Sequence, residues 1–194
     1  LNIPFLTCDA EAAYRDEVAQ YFIREYTAGR TPNPDVMCNK YVKFGAFQEF
    51  ARAHDADFIA TGHYARRQDT AAGAELHRGI DRDKDQSYFL WTLTKEQLSY
   101  TILPIGDTIK DHIRTEAAQA GLPTAQKKDS QGICFLGHVD IREFLSHYTT
   151  LTRGEVIDET GMVIGHHQGA LIYTPGQRHG LTITASSQER QPYY

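Results

Sequence analysis

Two cysteines stand in company that can do sulfur chemistry. The run Asn33-Pro34-Asp35-x-x-Cys38-Asn39-Lys40 places a carboxylate and a thiol about one helical turn apart, at a loop-to-helix junction. A thiol near a helix N-terminus with a lysine close by has its thiolate favoured, and the thiolate is the nucleophile. An isolated cysteine is more often a buried structural residue. Here the stiff Pro-x-Pro approach and the polar neighbours tilt Cys38 towards function. Gln131-Gly132-Ile133-Cys134-Phe135-Leu136-Gly137 carries the second thiol between glycines, after Lys127-Lys128-Asp129-Ser130. Glycines permit close approach by a large ligand, and the lysines could meet phosphates. A strand with a buried cysteine and a solvated lysine pair fits these residues equally well. Cys38, Cys134 and His63 could also ligate a metal, but neither cysteine has C-x-x-C spacing, which argues against zinc. Cys8 lacks such company and reads as structural.

Two further polar groups are ambiguous on their own. Arg82-Asp83-Lys84-Asp85-Gln86-Ser87-Tyr88, ahead of Phe89-Leu90-Trp91, is either an RNA-reading cluster or an exposed helix start. Gly176-Gln177-Arg178-His179-Gly180 is either a β-turn or a basic contact loop.

The elements that must position these groups follow from spacing. After a cap at Asp9, Tyr14, Val18, Tyr21, Phe22 and Tyr26 recur at helical intervals up to Gly29. Thr31 to Asp35 cannot be helix, because its prolines favour extended or turn geometry. A second helix covers Lys40 to Ala53, with Phe44, Phe47 and Ala51 facing inward. Phe58 to Thr61 is a short apolar strand with Gly62-His63-Tyr64 at its carboxyl end, the place where open α/β sheets bind ligands. Tyr64–Arg67 and Glu75–Arg78 pair as a hairpin around Ala72-Gly73. Thr94-x-x-Gln97 is a capping box, Asp111–Ala120 a helix stopped by Gly121, and Val139–His147 another helix. From Gly154 the texture turns to β, with strands about Glu155–Ile157 and Met162–Ile164. The reading is an α/β portion, then a small helical portion, then the beginning of a β-barrel or sandwich.

Composition excludes several classes. The chain has 194 residues, 41% hydrophobic and 23% charged, values of an ordinary folded protein rather than a disordered or fibrous one. No run approaches the roughly 18 apolar residues of a membrane helix. Leu1-Asn2-Ile3-Pro4 carries no secretory signal and reads as the inside of a longer protein. Three cysteines without a signal fit a reducing cytoplasm. A net charge of −5 supplies no global attraction to nucleic acid, so RNA binding must rest on local patches.

Five motifs in order carry a family resemblance: Thr31-Pro32-Asn33-Pro34-Asp35-x-x-Cys38-Asn39, Ala60-Thr61-Gly62-His63-Tyr64, Lys84-Asp85-Gln86-Ser87-Tyr88-Phe89-Leu90, Lys128-Asp129-Ser130-x-Gly132-Ile133-Cys134-Phe135 and Thr174-x-Gly176-Gln177-Arg178. Together they resemble the tRNA-specific 2-thiouridylases, the MnmA family. The resemblance implies part of an ATP-pyrophosphatase-type, Rossmann-like sheet over 1–98. It also implies a central helical tRNA-binding region with the persulfide cysteine over 99–150, and the start of a C-terminal β-barrel over 151–194. It implies adenylation of the wobble-uridine C2 oxygen by ATP with Mg, then sulfur transfer from a cysteine persulfide, with no permanently bound cofactor. Cys134 matches the persulfide carrier and Cys38 the second catalytic cysteine, the two forming a transient disulfide. Asp35 matches the acid/base candidate, and Asn33, Pro34 and Asp35 the target-base loop. Gly62 matches an ATP contact, while His63, Lys84, Asp85 and Gln86 match tRNA contacts. Implied partners are tRNA and a sulfur-relay protein or cysteine desulfurase, with no membrane.

The family's Ser-Gly-Gly-x-Asp-Ser phosphate loop is absent between Leu1 and Gly62, so this chain alone is expected to bind ATP weakly and not to turn over. Cys38 and Cys134 are expected to share one cleft, with a segment around Cys134 that is mobile without tRNA. The competing readings are a non-catalytic tRNA-binding module, which needs no thiols, and another ATP-pyrophosphatase-type ligase or amidotransferase, which needs no second cysteine.

Overall fold

The computed structural model describes residues 3–127, 140–177 and 179–184. In chain order the elements are α1 (Glu11–Tyr14), a π-helical stretch (Arg15–Ala19), α2 (Gln20–Thr27), α3 (Pro34–Met37), a second π-helical stretch (Cys38–Ala46) and α4 (Phe47–Ala53). Then come β1 (Ile59–Ala60), β2 (Ala65–Thr70), β3 (Gly73–Arg78), α5 (Lys95–Ser99), β4 (Thr101–Ile102), α6 (Lys110–Gln119) and α7 (Ile141–Ser146). Strands β5 (Gly154–Ile157), β6 (Val163–His167) and β7 (Thr182–Ile183) follow. Short 3-10 turns cover Ser87–Phe89 and Ala170–Ile172. The chain divides into two compact units, Leu1–Ala19 with Pro34–Gln131 and Gln20–Asn33 with Gly132–Tyr194.

In the first unit the helical run about Cys38 ends at Ala53 as expected but departs from the sequence expectation at its start. It begins at Pro34, not Lys40. A proline forbids helix interior but suits the first helical position, where its missing N–H has no partner to lose. Only Thr31 to Asn33 stay outside regular helix. The inward face also differs. Phe44 is buried as expected, but Phe47 is 40% exposed and Gln48 takes the inward place at 6%. The reason is the π-helical stretch, whose i→i+5 bonds put more residues in each turn and rotate the apolar stripe before it reaches α4.

The expected strand shrinks to Ile59–Ala60, with Phe58 left exposed. It pairs in parallel with β4, Ile59 opposite Thr101 and Ala60 opposite Ile102. Hairpin β2–β3 forms as expected, with Thr70 opposite Gly73. Arg67 fastens it to β4 by donating from Nη1 to the carbonyls of Ser99 and Thr101. The capping box forms in full: Thr94 Oγ1 accepts from the Gln97 N–H and Gln97 Oε1 from the Thr94 N–H. Gly121, at φ 67, closes α6 in the left-handed conformation that only glycine adopts freely. The core gathers Phe44, Ile59, Ala65, Leu90 and Leu103.

In the second unit, α2 and α7 bury Phe22, Tyr26 and Leu145 together. Asp140 caps α7 by accepting from the Arg142 and Glu143 N–H groups. Strands β5, β6 and β7 form an antiparallel sheet in that order. The β5–β6 turn is organised by Asp158 Oδ1, which accepts from Thr160 N, Thr160 Oγ1 and Met162 N.

Candidate functional site

The first unit assembles its site around one helical segment. Pro34 opens it, Asp35 lies in its first turn, and Cys38 follows one turn later. Cys38 is 2% exposed, packed with Val18 and Val42 and flanked by Ala10, Tyr14 and Met37. Lys40, the cation expected beside the thiol, is directed to Tyr41. Its Nζ donates to Tyr41 Oη at 2.9 Å and lies 4.5 Å from the centre of the Tyr41 ring.

Asn39, the residue after the thiol, is the feature that sequence reasoning passed over. It is 2% exposed, and its Nδ2 donates to the Phe89 carbonyl at 3.1 Å. Among the described residues its buried Oδ1 has no hydrogen-bond partner. Because the Phe89 carbonyl requires a donor, the amide orientation is set and the acceptor is the group left over. A buried unpaired acceptor costs about 1–3 kcal/mol. Its signal in the sequence is its position within the Cys38 motif.

At the carboxyl end of β1, Thr61 donates its N–H to the Ile102 carbonyl, extending the parallel pair by one residue. Thr61 Oγ1 and His63 Nδ1 are 2.9 Å apart, and the His63 ring sits 5.8 Å from that of Phe44. Burial, and secondarily the charge of Lys43, push the His63 pKa down to about 4. His63 is therefore neutral at pH 7 and offers a hydrogen bond or a ring face, not a charge. Gly62 is exposed and a side chain there would meet nothing within 4 Å, so the carboxyl end of β1 has open space for a ligand.

The 84–86 loop is brought to this strand end from 21 residues downstream. Gln86 N–H donates to the Tyr64 carbonyl at 2.8 Å, and Gln86 Oε1 accepts from the Tyr64 N–H at 3.0 Å. Asp85 Oδ1 accepts from the Gly79 and Ser87 N–H groups, and Oδ2 from the Ser87 hydroxyl. Burial raises the Asp85 pKa, but these hydrogen bonds and the charge of Arg78 outweigh it and hold the carboxyl below its usual range. Asp85 and Gln86 thus brace the loop, with Lys84 in the turn Lys84 N–H to Asp81 carbonyl. Gly79 must be glycine here, since a Cβ would lie 2.8 Å from the Tyr64 carbonyl oxygen. Cys38, His63 and the 84–89 segment are therefore cross-linked through Asn39–Phe89, Phe44–His63 and Gln86–Tyr64.

In the second unit, Asn33 ends the loop that starts at Thr31, and Thr31 Oγ1 donates to Thr174 Oγ1 at 3.1 Å. Residues 174–177 form a turn, with Gln177 N–H donating to the Thr174 carbonyl and Gln177 Oε1 accepting from the Thr174 N–H. Cys134, its flanking lysine-aspartate-serine run and Arg178 lie outside the described residues. So do the expected Cys38–Cys134 cleft and the expected mobility about Cys134. Among the described residues no group of three or more His, Cys, Asp or Glu is placed to hold a metal ion, and no helix is long and apolar enough to cross a membrane.

Residues 1–138 match the family model described as the tRNA methyl transferase HUP domain, and 142–194 match the tRNA methyl transferase PRC-barrel domain. The chain belongs to this family. Its architecture is accordingly a HUP domain, the Rossmann-like α/β class, followed by a PRC-barrel domain. The parallel β1–β4 pair and the β2–β3 hairpin lie in the first match, and the antiparallel β5–β6–β7 sheet in the second. Among relatives, the chain is 45% identical over 195 residues to a protein of Enterococcus faecalis, across 100% of this chain and 52% of that one. It is 50% identical over 184 residues to one of Staphylococcus epidermidis (94% and 50%) and 49% identical over 197 residues to one of Tolumonas auensis (100% and 53%). All three are named tRNA-specific 2-thiouridylase MnmA. The chain spans about half the length of these relatives.

Proposed function

We propose that this family member thiolates tRNA, acting as a tRNA-uridine 2-sulfurtransferase that uses ATP. The observation that carries the reading is the buried Cys38 one turn beyond Asp35, on a segment tied through Asn39 to the end of the 84–89 loop. Uracil's C2 oxygen is a poor leaving group, so it must be activated. The O2 of the wobble uridine attacks the α-phosphorus of ATP with Mg²⁺ bound to the phosphates, and pyrophosphate leaves. The terminal sulfur of a Cys134 persulfide then adds to C2, and AMP leaves. The Cys38 thiolate attacks Cys134 Sγ, breaking the S–S bond. Sulfur stays on C2 as the thiocarbonyl and a Cys38–Cys134 disulfide forms, to be reduced by an external thiol.

Asp35 handles the proton on the base, with Asn33 at the end of the loop and Pro34 at the first helical position holding a base removed from its stack. Gly62 leaves room for the nucleotide. His63 meets RNA as a neutral hydrogen-bonding ring, and Lys84 as a charge, on a loop braced by Asp85 and Gln86. The division of labour is nucleotide and base chemistry in 1–98, RNA and persulfide in 99–150, and the barrel over 151–194. The persulfide comes from a sulfur-relay protein or cysteine desulfurase, in the cytoplasm.

The family description names methyl transfer, which would require a methyl donor but no pair of thiols, so the cysteines discriminate. The test places these 194 residues into the aligned segment of the Enterococcus faecalis relative and measures 2-thiouridine in digested tRNA. We expect Cys38→Ser and Cys134→Ser each to abolish 2-thiouridine while tRNA binding is retained, because affinity comes from many phosphate contacts. Thiolation untouched by loss of either thiol, or methylation dependent on S-adenosylmethionine, would overturn the reading.

A further inference from the structure

A pocket of about 540 Å³ in the first unit is lined by Arg66, Arg78, Gly79, Ile80, Arg82 and Asp85. Three guanidinium groups around one concavity are conspicuous in a chain whose net charge is −5. The one carboxylate in the lining, Asp85, is kept ionised by hydrogen bonds from Gly79 and Ser87 and by the charge of Arg78, so it offsets only one of the three positive charges. Arg66 has a partial counter-ion in Asp107 at 3.6 Å, an exposed pair that solvent screens. Its Nε also donates to the Arg78 carbonyl at 2.7 Å, so its side chain is held across the hairpin. Arg78 and Arg82 are exposed, and among the described residues their guanidinium groups make no hydrogen bond or ion pair.

Like charges converge at a cost unless an anion joins them, and the planar guanidinium fork matches the oxygens of a phosphate. The pocket also shares Asp85 with the 84–86 loop, so its occupant would lie beside Lys84 and Gln86. We propose that Arg66, Arg78 and Arg82 seat a backbone phosphate of the bound RNA, fixing the register of the strand that the 84–86 loop touches. The inference rests on the tRNA reading above. It adds Arg66 and Arg78, which the sequence reading did not single out for RNA, to Arg82 of the polar 82–88 cluster. A contact of this kind carries affinity and position rather than sequence choice.

The test uses the chain as it stands, with Arg78→Gln and Arg82→Gln combined. Arg66 is spared because its Nε holds the hairpin, and the two substituted side chains are exposed, so thermal melting by circular dichroism should match the parent. Filter binding to tRNA is measured between 50 and 200 mM salt. We expect binding about fivefold weaker at 0.1 M salt and a log–log salt slope shallower by about 1 to 2, with Arg78→Lys combined with Arg82→Lys retaining most of the slope. Unchanged affinity and slope in a folded Gln variant would overturn the inference while leaving the tRNA reading intact. Loss of ATP affinity with RNA binding unchanged would assign the pocket to a nucleotide phosphate and overturn it too. A parent chain that binds no tRNA would overturn both.

Discussion

The two units bury their interiors by different means. In the first, the core around Phe44 is laced with buried polar side chains that reach backbone groups far along the chain. Asn39 bonds Phe89, Gln48 bonds the Gln97 carbonyl, Gln97 bonds the Phe44 carbonyl, and Thr101 Oγ1 returns to Gln97. In the second, the α2–α7 contact is aromatic and aliphatic. Phe22 meets Tyr26 at 4.8 Å and Phe144 at 5.7 Å, both edge-on, over a fully buried Leu145. Polar cross-links specify one geometry, because a shifted partner leaves an unpaired buried group. Apolar packing is larger in energy but more forgiving of shape. The unit that carries Cys38 and the 84–86 loop is the one built for precision.

The largest expected effect lies in the apolar unit. Leu145→Ala should destabilise it by about 2–5 kcal/mol through lost burial and a residual cavity. Hydrogen exchange read segment by segment should show faster exchange in 20–27 and 140–147, with 34–60 unchanged. Equal acceleration in both would erase the distinction.

Next comes pH. His63 has an ordinary pKa of 6.5 and a folded value of about 4, so between them the unfolded chain binds more protons than the folded one. The stabilisation is complete above 6.5 and is lost as pH falls towards 4, by up to about 3 kcal/mol. Urea unfolding of the first unit at pH 7.5 and 5 should show this loss, and His63→Gln should flatten it. A loss of the same size in the Gln variant would point to other groups.

A smaller loss is expected for Asn39→Ala, about 1–3 kcal/mol, because the Phe89 carbonyl is left unpaired. It should also raise the alkylation rate of Cys38 by iodoacetamide, since Asn39 holds that segment. An unaltered rate with lowered stability would make the cross-link structural alone. The smallest effect is Thr94→Ala, about 1 kcal/mol, from loss of the capping box. Thermal unfolding should register it as a shift of a few degrees.

Features set by chemistry within a few residues were legible in the sequence. The hairpin around Ala72-Gly73, the Thr94–Gln97 capping box and the stop at Gly121 each close hydrogen bonds across two to four positions, so residue type decides them. The short strand at Ile59 was legible as an apolar run, while its parallel partner, Thr101–Ile102, lies 42 positions on and was not. Tertiary structure decided what distance in the chain conceals. The π-helical stretch turned Phe47 out and Gln48 in, because the apolar stripe follows the hydrogen-bonding period rather than the residue count. Proline at 34 opens the helix because a first-turn N–H has nothing to lose. Lys40 turned to Tyr41, His63 lost its charge to burial, and Gln86 paired with Tyr64. Three arginines met around one pocket because β2, β3 and the loop after β3 bring positions 66, 78 and 82 together. Each of these depends on a partner or a solvent exposure that exists only once the chain has packed.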